Sequence, residues 1–164
     1  MLSPIDKLLA VEEIKKLKAR YFRVIDSHDW VAFRGILADD AVFGSPNDAE
    51  AEKKWKGTIP WSHWTTPHIT GADAIVAWIS AGLANGTSVH RGFNAEIEVL
   101  TADTARGIWG LEDILRFPGM EVHGYGHYRD TYVRSDGVWR IKSFEVLRKS
   151  VEFRYLQTTG DAVV

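Results

Sequence analysis

Histidine is the side chain that titrates near neutral pH without a large perturbation, so it is the natural proton carrier in this chain. His90 opens a long β-type run and shares a strand face with Asn94, which gives Asn94 a place in substrate binding or simply on a polar strand face. Asp26 falls near the end of an amphipathic helix, where the helix dipole disfavours a carboxylate, so it needs a partner there. Tyr21 lies in the apolar stripe of the same helix; it either packs in the core or donates its phenol to a developing oxyanion. Between residues 45 and 70 stand Trp55, Trp61, His63, Trp64 and His68, which either close over an aromatic substrate or pack the loop onto the body. His123, Tyr125 and His127 alternate onto one strand face, and Tyr128, Asp130 and Tyr132 onto the other. Either set suits a cavity wall, and the sequence does not say which face is concave.

Other chemistries are excluded or poorly supported. The chain has no cysteine, which removes disulfides, zinc–thiolate and iron–sulfur sites, and thiol nucleophiles. His123 and His127 are four apart on a strand, about 13 Å, too far to chelate one metal. His63 and His68 have no matching carboxylate motif, so no metal is expected. Asp39-Asp40 reads as a turn, and Lys15-Lys16-Leu17-Lys18 as the solvated face of a helix. There is no G-x-S-x-G, G-x-G-x-x-G or P-loop pattern, which leaves hydrolase-elbow and nucleotide readings without support.

The elements that must position these residues follow from length and periodicity. A chain of 164 residues that is 45% hydrophobic and 26% charged fits one globular domain, placed here at residues 1–155 with a tail at 156–164. A net charge of −2 gives no global case for nucleic acid or an anionic membrane as partner. The first 22 residues carry charges every few positions, unlike a signal peptide or a spanning helix, so a cytoplasmic location is expected. Ser3-Pro4-Ile5-Asp6 is a helix start, and Ile14, Leu17, Tyr21 and Val24 mark one apolar face running to about Ser27. A short helix is expected over Trp30–Leu37, a strand at Ala41–Phe43, a loop over 45–70 and a third helix over Gly71–Leu83. Then the period changes to two. Thr87–Leu100, Thr104–Phe117, Glu121–Arg134 and Val138–Phe153 read as four long strands joined by tight turns. Helices first and a meander of strands second is an α+β order. Such long strands twist, and a curved sheet around a long helix leaves a cone with an interior pocket. Gly107, Gly110, Gly124 and Gly126 permit bends or bulges in that sheet.

Several stretches coincide with one family pattern. They are Tyr21-Phe22-Arg23-Val24-Ile25-Asp26, His28-Asp29-Trp30, Leu37-Ala38-Asp39-Asp40-Ala41-Val42-Phe43, the glycine-started helix at Gly71, and His90 with Asn94. Asp103-Thr104-Ala105-Arg106-Gly107, Tyr128-Arg129-Asp130-Thr131-Tyr132 and Asp136-Gly137-Val138-Trp139-Arg140-Ile141 complete it. Over roughly residues 5–150 the chain resembles the SnoaL-like branch of the NTF2-like superfamily, alongside scytalone dehydratase, bile-acid 7α-dehydratase and hexachlorocyclohexane dehydrochlorinase. The resemblance implies a cone-shaped α+β barrel with a deep apolar pocket, often a homodimer or homotrimer through the sheet. It also implies a catalytic pair in which Asp26 orients His90 and His90 removes a proton, with Tyr21 matching a phenol that assists the leaving group. On an ideal helix, however, Tyr21 and Asp26 point about 140° apart.

The expected activity is therefore that of a cofactor-independent lyase on a hydrophobic aromatic or polycyclic small molecule. Loss of water is the default, and loss of formaldehyde from a lignin-derived aryl diol, as in aromatic compound catabolism, is within the same chemistry. A ketosteroid-type isomerase is the enzymatic rival, weakened because its base position falls near Ser45. A non-catalytic small-molecule-binding module is the rival from another class.

Overall fold

The computed structural model describes residues 2–44 and 68–156. Helix α1 spans Pro4–Asp26. Its start is a capping box: the Ser3 hydroxyl accepts from the Asp6 backbone N–H, and the Asp6 carboxylate accepts from the Ser3 N–H. Ala10, Ile14, Leu17, Tyr21, Val24 and Ile25 form its buried face. One further residue joins that face against expectation. Lys18 is 0% exposed rather than solvated, because it stands four residues after Ile14 and three before Tyr21, on the stripe itself.

Helix α2 (Trp30–Gly35) is capped by Asp29, whose carboxylate accepts from the Ala32 N–H. It ends earlier than its apolar run, since β1 (Leu37–Phe43) begins at Leu37 rather than Ala41. Asp39 and Asp40 thus lie within a strand, at an irregularity between the pairings Leu37↔Ile141 and Val42↔Ser143. They are held there by Arg34 and Lys142. Strand β2 (Ile69–Thr70) pairs with the end of β1 and leads through Gly71 into helix α3 (Ala72–Gly82).

The second half is the meander that the period-two pattern predicts: β3 (Thr87–Val99), β4 (Thr104–Phe117), β5 (Met120–Ser135) and β6 (Val138–Tyr155). The sheet order is β2-β1-β6-β5-β4-β3, antiparallel except where β1 runs parallel to β6. Helix α1 packs against both β3 and β6, so the six-stranded mixed sheet curves around it without closing. The core lies between that helix and the inner sheet face, where Trp109, Leu111, Tyr128, Tyr132, Ile141 and Phe144 are buried.

Three bulges bend the long strands, one of them in β6 opposite Thr131 and Tyr132. In β3 the pairing shifts between Phe93 and Glu96, and Asn94 takes φ of 50°, a left-handed conformation that asparagine tolerates. In β6 an extra residue stands opposite Tyr125 and Gly126. Gly126 is required at that point, because a Cβ there would sit 1.9 Å from the Leu147 carbonyl oxygen. Gly126→Ala should therefore cost about 2–3 kcal/mol or more, read as a shift in the urea unfolding midpoint. A midpoint equal to the wild type would show that the β5–β6 backbone can move apart freely.

Candidate functional site

The end of α1 delivers Asp26 to the edge of the sheet. The chain turns sharply after it, with Ser27 as the helix cap and His28 at φ of 56°. A carboxylate at a helix C-terminus faces the wrong end of the dipole. Donors from β3 compensate: the Ser88 hydroxyl donates to Asp26 Oδ1 (2.8 Å) and the His90 backbone N–H to Oδ2 (2.9 Å). The His90 ring closes the arrangement, with Nδ1 2.7 Å from Asp26 Oδ1. A carboxylate can only accept, so Nδ1 carries a proton, and in the neutral ring Nε2 is then the nitrogen with the lone pair. The two side chains are partly buried, 25% exposed for Asp26 and 12% for His90.

His90 lines a cavity of about 440 Å³ whose walls are largely apolar, built from Phe43, Trp78, Leu83, Leu115, Phe117 and Val146. Trp78 is 40% exposed and packs against Phe43 at a tilt, 5.6 Å between ring centres, which places an aromatic ring at the solvent-facing edge of the cavity. A volume of this size suits a small organic ligand. Tyr21 lines the same cavity. The 140° separation of Tyr21 and Asp26 is resolved by position: Asp26 stands behind His90 and reaches the cavity through it, whereas Tyr21 faces the cavity directly.

Opposite His90 in the sheet register is Asp113, 1% exposed and paired with Arg148 from β6. Arg148 Nε lies 3.1 Å from Asp113 Oδ2, and both residues line the cavity. Burial opposes the Arg148 charge, but the Asp113 carboxylate outweighs it and holds the guanidinium's pKa above its ordinary value. Arg148 reaches Asp113 across β5, over Gly124, where a Cβ would fall 2.1 Å from Asp113 Oδ1 and 2.7 Å from Arg148 Nε. Gly124→Ala is thus expected to force the pair apart and lower ligand affinity along with stability; calorimetric titration of the variant beside its melting curve reads both. Unchanged affinity and stability would mean that the pair has room to spare.

Tyr128 completes the wall. Its pKa is pushed well up, first by burial and then by the neighbouring Tyr21 and Asp113, so it stays a neutral phenol. Tyr21 is raised likewise, first by burial and then by Asp130 and Asp113. Beneath both rings lies a buried ion pair: Lys18 Nζ is 2.7 Å from Asp130 Oδ2 and 4.3 and 4.0 Å from the ring centres of Tyr21 and Tyr128. Asp130 also accepts from the Tyr132 hydroxyl (2.7 Å), which itself accepts from the Trp109 indole (2.9 Å).

The remaining sequence candidates fall elsewhere. The pairing of β5 with β4 is continuous, so its side chains alternate cleanly, and the inner face is the one bearing Tyr128, Asp130 and Tyr132. Tyr125 and His127 therefore lie on the outer face and do not line the cavity. Asn94 does not share His90's face, because the bulge re-phases β3 after Phe93; it is exposed. His68 is exposed and borders a separate surface depression with Glu96 and Arg106. Trp55, Trp61, His63 and Trp64 lie outside the described residues, as does Ser45.

Asp113, Arg148 and Ser88 are not singled out by the sequence, and Lys18 reads there as a solvated residue. Asp113 left a trace, an acid alternating in phase with Leu111 and Leu115 in an otherwise apolar strand face. Among the described residues no group of three or more His, Asp or Glu side chains is placed to hold a metal ion. Nor is any described helix long and apolar enough to cross a membrane.

The chain belongs to the SnoaL-like family of the NTF2-like superfamily: the SnoaL-like domain model matches residues 6–145. A curated relative from Gibberella zeae, described as a probable cyclase, is 24% identical over 149 residues, spanning 82% of this chain and 88% of the relative. The fold is shared with the crystal structure of a scytalone-dehydratase-like protein from Novosphingobium aromaticivorans, with TM-score 0.73, 19% identity, and 98% and 100% of the two chains covered. It is shared also with the hexachlorocyclohexane dehydrochlorinase LinA-type3 from Novosphingobium barchaimii, with TM-score 0.71, 19% identity and 99% of each chain covered.

Proposed function

We propose that the protein is a cofactor-independent lyase that eliminates water from a hydrophobic, hydroxylated aromatic or polycyclic small molecule. The observation that carries this reading is the Asp26–His90 pair opening onto an apolar cavity. A binding module has no need of a carboxylate that fixes the tautomer of a cavity histidine.

In the proposed reaction His90 Nε2 takes a proton from substrate carbon, and the C–H electron pair becomes the new C=C bond as the C–O bond breaks. Asp26 holds the resulting imidazolium. The imidazolium then returns its proton to the departing hydroxyl, so water leaves and the protein ends in its starting state. Tyr21 stays protonated and donates a hydrogen bond to the leaving oxygen. Loss of formaldehyde would use the same base on the primary hydroxyl of a diol: the O–H pair becomes the C=O of formaldehyde, the breaking C–C pair becomes the new C=C, and the second hydroxyl departs with the His90 proton as water. The relatives described as a cyclase, a dehydrochlorinase and a scytalone-dehydratase-like protein support an enzymatic role in general.

The test is a panel of hydroxylated tetralones, aryl diols, steroids and terpenoids incubated with the purified protein. Mass spectrometry should find a product lighter by one water, or by one water and one formaldehyde, for at least one compound that also raises the melting temperature. Compounds that stabilise the protein yet return unchanged would turn the assignment to a binding module.

A further inference from the structure

Helix α3 gives the cavity wall Trp78, Ile79 and Gly82, none of them charged. Trp78 is the open ring of that wall. It is 40% exposed, whereas none of Tyr21, Phe43 and Tyr128 exceeds 6%, and Phe117 is partly buried. Its own helix does not cover it, because the residues one turn away on either side, Ala74, Ala81 and Gly82, are small. Gly82 has no conformational reason to be glycine. It ends α3 without a positive φ, and a Cβ there would meet nothing within 4 Å. Glycine in a helix costs about 0.5–1 kcal/mol relative to alanine, and no contact in the fold explains that cost here. Trp78 and Gly82 thus bound an open slot in the cavity wall, an indole on one side and bare backbone on the other.

We propose that this slot seats an aromatic ring of the substrate, remote from the reacting carbon, and that Trp78 selects a flat aromatic ring over a saturated one. The inference rests on the lyase reading of the same cavity. It narrows the substrate class to aryl compounds, away from saturated polycycles. With the reacting carbon at His90, the rest of the molecule meets the apolar part of the wall, to which α3 belongs. A flat ring can pack on the indole in the offset or edge-to-face arrangements that aromatic pairs favour, and the bare backbone at Gly82 admits it. A saturated ring is thicker and gains only the area it buries.

The experiment titrates 1-tetralone and trans-1-decalone, two ketones of one carbon skeleton, into wild type, Trp78→Leu, Trp78→Phe and Gly82→Leu by calorimetry. The saturated ketone is the more hydrophobic, so buried area alone favours it. Wild type should nevertheless bind 1-tetralone about three- to tenfold more tightly, the scale of one aromatic pair. Trp78→Leu should abolish that preference, and Trp78→Phe should keep most of it. Gly82→Leu should weaken 1-tetralone about tenfold by filling the slot, yet melt no lower than wild type, because leucine is the better helix former. In a ¹H–¹⁵N spectrum, 1-tetralone should move the indole signal missing from Trp78→Phe further than any other indole signal. A preference unchanged in Trp78→Leu, full 1-tetralone affinity or a lower melting temperature in Gly82→Leu, or no binding of either ketone by wild type would each overturn the proposal. A Trp78-dependent preference in a protein that turns over nothing refutes the lyase reading alone, and turnover with a preference independent of Trp78 refutes the slot alone.

Discussion

His90→Ala is expected to reduce turnover by about 10²- to 10⁴-fold while leaving the fold and the affinity for 1-tetralone within a few-fold of wild type. The expectation follows from where His90 stands. Its ring is hydrogen-bonded to Asp26 and lines the cavity wall, so truncation removes a base from the cavity surface. Asp26 is the poorer residue on which to test the pair. Its carboxylate also receives the Ser88 hydroxyl and the His90 backbone N–H, and so ties the end of α1 to β3. Asp26→Asn should thus lower both turnover and melting temperature, whereas His90→Ala should separate them. Steady-state kinetics beside thermal unfolding gives that comparison. Equal turnover in His90→Ala and wild type would remove the histidine from the chemistry.

The second large effect is on stability. Lys18→Met keeps the length and apolar stem of the side chain but leaves Asp130, 2% exposed, without its cation. Breaking a buried ion pair from one side costs about 3–5 kcal/mol, because an uncompensated charge stays behind. Burial holds the Lys18 amine's pKa below its ordinary value, and Asp130 pulls it the other way. Lys18→Met combined with Asp130→Leu should recover much of the loss, as well-packed apolar replacements of buried pairs often do. Equilibrium denaturation of the single and double variants measures this. A single variant within about 1 kcal/mol of wild type would mean that water reaches Asp130.

The order of elements was legible because each boundary has a local chemical cause. Ser3 and Asp6 cap α1, Asp29 caps α2, and the Asp136-Gly137 turn, with φ of 53° and 76°, closes the last hairpin. Asp26 and His90 were legible as a pair only through the family pattern, since nothing in their spacing of 64 residues says that they meet. What escaped is tertiary. Asn94 lost its place beside His90 because a bulge adds one residue, which no alternation count detects in advance. Tyr125 and His127 are candidates for the cavity because the two faces of β5 look equally suited, and only packing against α1, through Lys18–Asp130 and Tyr21–Tyr128, decides which is inner. Lys18 was assigned to solvent by its charge, although its phase in the helix put it on the apolar stripe. Asp113 and Arg148 come together across an intervening strand, and the trace of that meeting was a glycine, Gly124, whose reason lay in two side chains rather than in a bend.

The central claim is that His90, oriented by Asp26, takes a proton from carbon inside this cavity. It is tested most directly by incubating the protein with 2-tetralone in D₂O and following loss of the α-hydrogen resonances by NMR. Exchange well above the buffer rate in wild type, reduced to that rate in His90→Ala although the ketone still binds, is the predicted result. Bound 2-tetralone that exchanges no faster with wild type than with His90→Ala would contradict the account.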